Sequence, residues 1–345
     1  MKKIPTILSL AMLMSAYCCA PGQSSNDAAG AADSVEASPY LALMWHGGCD
    51  CAITYSLDDL TPNQLPVAVP LLDKYGVKAT FNVVITWVKE NEWPLLKKLA
   101  ENGHEIASHT VTHQNMQQLS PEDFEKESRD SKAFIEKAIG KECVTMVYPF
   151  CASAHKEIIA KYYISARGCN GKIMPGTPPD MYDISSKGAG TESSDLRNGD
   201  DFNRWVDEGV QANGWCTFLI HAIDGDGAYS PIESSELEKH LAYVTQNPKK
   251  FWVATFVQIT KYIIERDALT FDETVDGSVY TLKIGCTAKS PLTTFDEPVT
   301  ISRFMPDGFK TAVVTSGGSV VQSTIEGGSL MFDVVPGTTY QISFK

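Results

Sequence analysis

Two histidines, His109 and His113, are separated by three residues and follow a short β-rich run. Side chains four residues apart can face the same way on a helical turn, and neutral imidazoles at that spacing suit a divalent metal. A structural role for the pair is the alternative. The sequence therefore offers a candidate metal site.

Acidic, histidine and proline residues end three further β-rich runs. Asp58 and Asp59 follow residues 52–57, His221 ends a later run, and Tyr148-Pro149-Phe150 breaks another. Paired acids are common in turns, and a lone histidine beside an apolar run is more often structural. Each feature is weak evidence alone, but the order of all four along the chain is more specific.

From about Cys51 to Asp267, β-rich runs alternate with helical patterns. One helix is marked by a capping Ser120, by Pro121 at its first position and by a terminating Gly140. The alternation predicts a mainly parallel sheet covered by helices, with closure into a barrel as one outcome. Functional residues gather at the carboxyl ends of strands in such folds. The predicted strands are 52–57, 79–85, 104–108, 143–148, 164–168, 215–221 and 251–256, and the predicted helices are 66–75, 93–102, 121–139, 155–163, 235–245 and 259–266.

The segment from about Ala268 to the end has a different pattern. Tyr280, Leu282 and Ile284 alternate with polar residues, which is the spacing of a strand. Similar runs are separated by glycine-containing turns. We predict a small β-sandwich that is separate from the sheet before it.

The order of the four clusters resembles that of the polysaccharide deacetylase family with the NodB homology domain (carbohydrate esterase family 4). The resemblance covers about residues 51–267, and Ser108-His109-Thr110-Val111-Thr112-His113, preceded by Gly103-His104-Glu105-Ile106, is its most specific part. It implies a distorted β/α barrel of NodB type, to which the C-terminal β-sandwich-like unit is appended.

The resemblance also implies a metal site. Asp59, His109 and His113 would be the three protein ligands, which leaves coordination positions open for water and substrate. Zinc is the default metal for this ligand set, and cobalt or nickel would also fit.

Three further roles follow from the same resemblance. Asp58 would be the general base, His221 would be the general acid, and the backbone N–H of Phe150 would help to stabilise the oxyanion. These roles describe a hydrolase that removes N- or O-linked acetyl groups from a saccharide or polysaccharide. The alternative is a non-catalytic carbohydrate-binding lipoprotein on a deacetylase scaffold.

The sequence departs from the family pattern at three places. Leu60 replaces the usual glycine after the two acids. The usual arginine before the proline of the third motif is missing, and Arg167 could serve instead, although a surface salt bridge is the alternative. The acidic partner that would tune His221 is not identified, and Asp224 and Asp226 are candidates.

The composition restricts the partners. A formal net charge of −13 argues against binding nucleic acid or strongly anionic polymers. An acetylated, neutral or weakly charged oligo- or polysaccharide fits better. Trp45 and Trp205 could stack on sugar rings, although tryptophans are more often in the core.

The N-terminal region predicts export. Lys2-Lys3 and the apolar run of residues 4–16 indicate a signal peptide over residues 1–19, and a polar tether follows to residue 40. The deacetylase domain is predicted at 41–267 and the β-rich domain at 268–345. Cys18 and Cys19 lie where a lipoprotein cysteine would be. We expect a bacterial envelope lipoprotein, periplasmic or at the outer membrane, with plain secretion as the alternative and a lipid anchor as the only membrane contact.

The seven remaining cysteines are expected to be mostly buried thiols, with one or two disulfides.

We expect labelled palmitate to be incorporated at Cys18 or Cys19 when the protein is expressed in a bacterial host, because an exported chain with a lipoprotein cysteine is acylated there. Radiolabelling followed by gel electrophoresis measures this, and Cys18→Ser and Cys19→Ser identify the acylated residue. A mature protein that carries no label and is found in the medium would indicate plain secretion.

Overall fold

The computed structural model describes residues 38–345. The predicted signal peptide, most of the predicted tether and both candidate acylation sites, Cys18 and Cys19, lie outside the described residues. Within the described part, none of the helices combines the length and the apolar character needed to cross a membrane.

The strands fall into two groups, a parallel sheet in the first part of the chain and antiparallel sheets in the second. In chain order they are β1 Tyr40–Ala42, β2 Cys51–Asp58, β3 Thr80–Val83, β4 Glu105–Ser108, β5 Thr145–Val147, β6 Ser165–Arg167, β7 Lys187–Gly188, β8 Trp215–Ile220, β9 Phe251–Val253, β10 Leu269–Asp276, β11 Val279–Cys286, β12 Val299–Phe304, β13 Ala312–Ser316, β14 Ser319–Val321, β15 Ser323–Glu326, β16 Ser329–Val334 and β17 Thr339–Phe344. The α-helices are α1 Val69–Lys74, α2 Trp93–Glu101, α3 Pro121–Ile139, α4 Lys156–Ile159, α5 Gly199–Ala212, α6 Ser234–Thr245 and α7 Phe256–Arg266.

The parallel sheet curls into a half-barrel, which agrees with the prediction from the β/α alternation. Its order is β6-β5-β4-β3-β2-β8-β7, and β9 pairs with the first half of β2. All eight residues of β2 are buried, because a parallel strand with helices on the outside of its sheet has no solvent-facing side. The carboxyl ends of β2, β4, β6 and β8 therefore meet at one edge, where the acids and histidines lie.

Helix boundaries follow the chemistry of their ends. The Ser120 side chain accepts a hydrogen bond from the N–H of Asp123, and Gly140 ends α3 with a φ of 74°, a left-handed conformation that glycine adopts without steric cost. The predicted helix at 155–163 is wrong beyond its first turn, because α4 ends at Ile159. The sequence analysis missed α5, although Asn198 caps it and two acids occupy its first turn.

Two antiparallel sheets form the second part, with orders β1-β12-β16-β15 and β10-β11-β17-β13-β14. They share an apolar core that includes Leu282, Ile284 and Ile342. The alternation predicted for Tyr280 to Ile284 lies within β11. The chain from Tyr40 to Ala42 belongs to this part, since β1 pairs with β12, whereas the sequence analysis placed residue 41 at the start of the deacetylase domain.

An ion pair lies inside this antiparallel part. Arg303 donates two hydrogen bonds of 2.9 Å to the carboxylate of Glu273, and its guanidinium lies over the rings of Tyr280 and Phe344. Both charged side chains are largely buried, at 7% and 15% exposure. The pair is therefore a point where removing one charge leaves the other desolvated and unpaired.

We expect Arg303→Ala to lower the free energy of unfolding by about 3–5 kcal/mol, because it leaves the Glu273 carboxylate buried without its counter-charge, with the Tyr40 hydroxyl as its remaining hydrogen-bond donor. Urea denaturation measures the change. The matched control is the double variant Arg303→Met/Glu273→Gln, which removes both charges and should lose less. Equal losses in the two variants would show that packing, rather than charge compensation, stabilises this region.

Candidate active site

Asp59, His109 and His113 converge at the carboxyl edge of the parallel sheet. Asp59 Oδ1 lies 3.5 Å from His109 Nε2 and 3.7 Å from His113 Nε2, and the two Nε2 atoms are 3.1 Å apart. One ligand atom from each residue lies within 4.8 Å of the others. The expected helical turn between the histidines is wrong, because they are joined by a loop in which Thr110 and His113 have φ values of 70° and 58°.

The surroundings of His109 fix which of its nitrogens is free. Its Nδ1 lies 3.0 Å from the carbonyl oxygen of Val147, so Nδ1–H donates there and the Nε2 lone pair faces Asp59 and His113. Burial lowers the pKa of His109 to about 4, and burial also lowers the pKa of His113. Both imidazoles are therefore neutral near pH 7, which is the form that binds a metal.

Asp59 is the acid of this cluster without a hydrogen-bond partner. Its Oδ1 is buried and accepts no hydrogen bond from the described residues. Burial and the neighbouring Asp58 carboxylate raise its pKa to about 7. A buried, unpaired carboxylate oxygen beside two neutral imidazoles suits a divalent cation. Such a cation would compete with the proton on the Asp59 carboxyl group, so its binding would strengthen as the pH rises through the pKa of Asp59.

Asp58 is held as a carboxylate by hydrogen bonds. Arg167 Nη2 donates to its two oxygens at 2.6 and 2.5 Å, and Asn82 Nδ2 donates at 2.8 Å. Burial by itself would raise the pKa of Asp58, but the Arg167 guanidinium opposes this effect most strongly, and the pKa is lowered. Arg167 itself is 1% exposed, so the surface salt bridge considered for it is wrong.

His221 directly follows β8 and lies near the second carboxylate oxygen of Asp59. Its Nε2 is 3.9 Å from Asp59 Oδ2, and burial lowers its pKa. The two candidate tuning acids are engaged elsewhere: Asp224 accepts from the backbone of Ser234, and Asp226 accepts from that of Asn63. Within residues 38–345, Asp59 is the acid whose oxygen approaches a ring nitrogen of His221.

A cavity of about 620 Å³ opens onto these groups. Exposed aromatic rings border it, with Phe150 at 65% and Tyr229 at 63% exposure. The Phe150 ring lies 4.7 Å from that of His113, and the Tyr229 ring lies 5.2 Å from that of His221. The cavity therefore has an apolar rim beside its polar floor. The stacking role considered for two tryptophans is wrong, since both are buried: Trp45 and Trp205.

The backbone departs from the common conformations where the functional groups are presented. Asp59 and Leu60 have φ values of 75° and 54°, and Phe150 and Cys151 have values of 55° and 57°. Left-handed conformations are unfavourable for side chains such as these and persist only where the surroundings enforce them. Leu60 therefore adopts the turn for which the family pattern uses glycine, and its side chain packs against the core.

Two supporting residues were missed by the sequence analysis. Asn82 could have been found as the polar residue inside an apolar strand next to Asp58. Glu127 lies on α3 and gives no local signal, because its partners are distant in sequence. Its carboxylate accepts from the N–H groups of Val111 and Thr112 at 2.8 and 2.9 Å, and from the Thr112 hydroxyl at 2.7 Å. It thereby fixes the loop between the two histidines.

Parts of this chain are similar in sequence to known proteins. Residues 49–163 match the family model described as polysaccharide deacetylase. A gellan lyase from a Bacillus species is 28% identical over 301 residues, which is 81% of this chain and 12% of that protein. A peptidoglycan-N-acetylglucosamine deacetylase from Bacillus cereus is 36% identical over 86 residues, which is 25% of this chain and 39% of that protein. The chain thus spans much less than two thirds of either relative.

The fold has a solved counterpart. A solved structure from Mycobacterium smegmatis, assigned to the polysaccharide deacetylases, aligns with this chain at a TM-score of 0.51. The alignment covers 65% of this chain and 93% of the Mycobacterium chain. The sequence identity of 15% means that this likeness concerns the fold. It agrees with the barrel-like sheet described above.

We expect Glu127→Ala to weaken divalent-metal binding by about 10–100-fold, the range for losing a group that orients metal ligands. The loop between His109 and His113 would lose three hydrogen bonds, while both ligands remain. Metal affinity is measured by competition with a chromophoric chelator. Glu127→Gln keeps one acceptor oxygen and should lose less. Unchanged affinity in Glu127→Ala would show that the loop holds its shape without this carboxylate.

Proposed function

We propose that this chain, whose residues 49–163 match the polysaccharide deacetylase family, is a metal-dependent hydrolase that removes N- or O-linked acetyl groups from a saccharide. The observation that carries the proposal is the convergence of Asp58, Asp59, His109, His113 and His221 beside one cavity. A neutral histidine pair and an unpaired carboxylate suit a cation, and an ionised acid and a further histidine remain for proton transfer.

Asp59, His109 and His113 would hold the metal. The unpaired Oδ1 of Asp59 and the inward-facing Nε2 atoms supply the donor set, which matches the mixed oxygen and nitrogen ligands of catalytic zinc sites. Cobalt or nickel would also suit these donors. When bound, the cation supplies Lewis acidity that activates water and polarises the acyl carbonyl.

Asp58 and His221 would move the protons. The Arg167 pair keeps Asp58 ionised and aimed, so that it accepts the proton of the attacking water. His221 lies near Oδ2 of Asp59, and it would donate a proton to the departing amine or alkoxide. Because burial lowers the pKa of His221, its protonated form is a stronger acid than free imidazolium. The backbone N–H of Phe150 would contribute to binding the oxyanion.

The substrate we propose is an acetylated oligo- or polysaccharide. The curated relative from Bacillus cereus is named for peptidoglycan N-acetylglucosamine, and the exposed rings of Phe150 and Tyr229 provide apolar faces for sugar rings. The net charge of −13 disfavours strongly anionic polymers. No observation in the described residues favours the carbohydrate-binding alternative, since binding alone has no use for the buried Asp58–Arg167 pair.

We also propose that the protein acts outside the cytoplasm, as a lipoprotein or a secreted protein. Besides the N-terminal pattern, the support is a disulfide between Cys151 and Cys169. Disulfides persist mainly in oxidising compartments.

The decisive test is acetate release from a panel of N- and O-acetylated glycans, with and without a chelator. We expect release from at least one glycan, its loss after chelation and its recovery when zinc, cobalt or nickel is added. The panel also separates amide from ester substrates. Release that survives complete metal removal would contradict the metal dependence, and no release from any glycan with metal present would contradict the activity.

Variants of the two neighbouring acids separate the proposed base from the proposed ligand. Asp58→Asn should retain metal but lower kcat by about 10²–10⁴-fold, the usual contribution of a general base. Asp59→Asn should lose metal and activity together. Elemental analysis of purified protein and steady-state kinetics give the two readouts. Metal lost from Asp58→Asn and kept in Asp59→Asn would reverse the two roles.

In the same series, His221→Ala should retain metal and slow amide hydrolysis most, because an amine leaves poorly unless it is protonated. An activated aryl acetate, whose leaving group needs little help, is the matched control substrate and should be affected less. Equal losses on both substrates would show that His221 is not the general acid.

A further inference from the structure

A disulfide forms part of the cavity wall beside the proposed oxyanion donor. Cys151 and Cys169 are joined with a Cα–Cα distance of 5.4 Å, and both line the cavity. Cys151 directly follows Phe150, and Cys169 lies two residues after Arg167. The bridge therefore connects the turn that carries the oxyanion donor to the strand end that carries the partner of Asp58.

The turn at one end of the bridge is held by few other interactions. Phe150 and Cys151 both have left-handed φ values, 55° and 57°, which are unfavourable for residues other than glycine. Three local backbone hydrogen bonds of 3.1 Å close the turn, donated by the N–H groups of Cys151, Ala152 and Ser153 to the carbonyls of Tyr148, Pro149 and Cys151 respectively. The Phe150 side chain is 65% exposed, so core packing contributes little to holding it.

The other end of the bridge is firmly anchored. The carbonyl of Gly168 accepts from Ser186 Oγ at 2.7 Å and from Arg167 Nη1 at 3.3 Å, and the Gly168 N–H donates to Ile184 at 2.9 Å. Arg167 is in turn buried against Asp58. The disulfide thus ties a strained, exposed turn to a rigid part of the sheet edge.

We propose that the Cys151–Cys169 disulfide is a positioning element that holds the Phe150 backbone N–H where the oxyanion forms, so that full hydrolytic activity requires the oxidised protein. This inference rests on the proposed function. The two cysteines act through Phe150 and need not touch the substrate. Metal loading is independent of the bridge, because the candidate ligands lie at the end of β2 and in the loop after β4.

The test compares the wild-type protein with Cys151→Ser/Cys169→Ser, each loaded with metal. Cys49→Ser, which removes a free half-buried thiol, is the matched control. A second route uses the folded wild-type protein treated with a trialkylphosphine, which converts the disulfide and one water into two thiols and the phosphine oxide. This route tests the proposal even if the double variant does not fold. Thiol titration confirms that the bridge is absent.

We expect kcat per bound metal to fall about 10–100-fold without the bridge, which is less than the 10²–10³-fold loss for complete removal of an oxyanion donor. KM and metal content should change little. The loss should be equal for amides and aryl acetates, because both pass through the same oxyanion. If the bridge only stabilised the fold, its removal would lower Tm and leave kcat unchanged at temperatures well below Tm. A kcat within twofold of wild type overturns the inference.

Hydrogen exchange separates the failure of this inference from that of the proposed function. Without the bridge, the amides of Cys151 and Ala152 should exchange at least tenfold faster, whereas peptides from α3 should not change. If the wild-type protein releases no acetate from any glycan, the proposed function fails, and the exchange rates still decide whether the bridge holds the turn. Unchanged exchange of both amides overturns the positioning role.

Discussion

The buried ion pair between Asp58 and Arg167 is the interaction on which the site depends. A carboxylate and a guanidinium, each almost fully buried, are stable only when their charges and hydrogen bonds are compensated. Here Arg167 binds both oxygens of Asp58, Asn82 adds a third hydrogen bond, and Ser186 receives a further guanidinium N–H. The pair also affects the protonation of its neighbour, since burial and, after it, the ionised Asp58 raise the pKa of Asp59.

The fold supplies this pair from strands that are far apart in sequence. Asp58 ends β2 and Arg167 ends β6, and the curl of the sheet brings the two carboxyl ends to one cavity. In the family pattern the arginine precedes the proline of the third motif, which here follows β5. Because β5 and β6 are neighbours in the sheet, an arginine from the next strand reaches the same carboxylate. What the chemistry requires is the location of the guanidinium rather than its place in the sequence.

Much of this arrangement could be predicted from the sequence, for physical reasons that apply to particular residues. The alternation of β-rich and helical patterns reflects which residues are buried, and it therefore predicted the parallel sheet. Ser120 and Gly140 marked the two ends of α3. The conformation between His109 and His113 was not predictable, because Glu127 shapes that loop from α3. The Cys151–Cys169 pairing was likewise outside what spacing alone can determine, since several cysteines were available.

The first strand of the described chain has a consequence for how the protein folds. Residues of β1 pair with β12, Tyr40 opposite Arg303, although the whole parallel sheet and its helices lie between them in the sequence. Closing so long a loop in an unfolded chain is entropically costly and kinetically slow. Once the parallel sheet has formed, the chain segments of β1 and β12 are already near each other, and the remaining conformational search for their pairing is short. We therefore expect the antiparallel sheet that contains β1 to be completed late in folding, after the parallel sheet has formed.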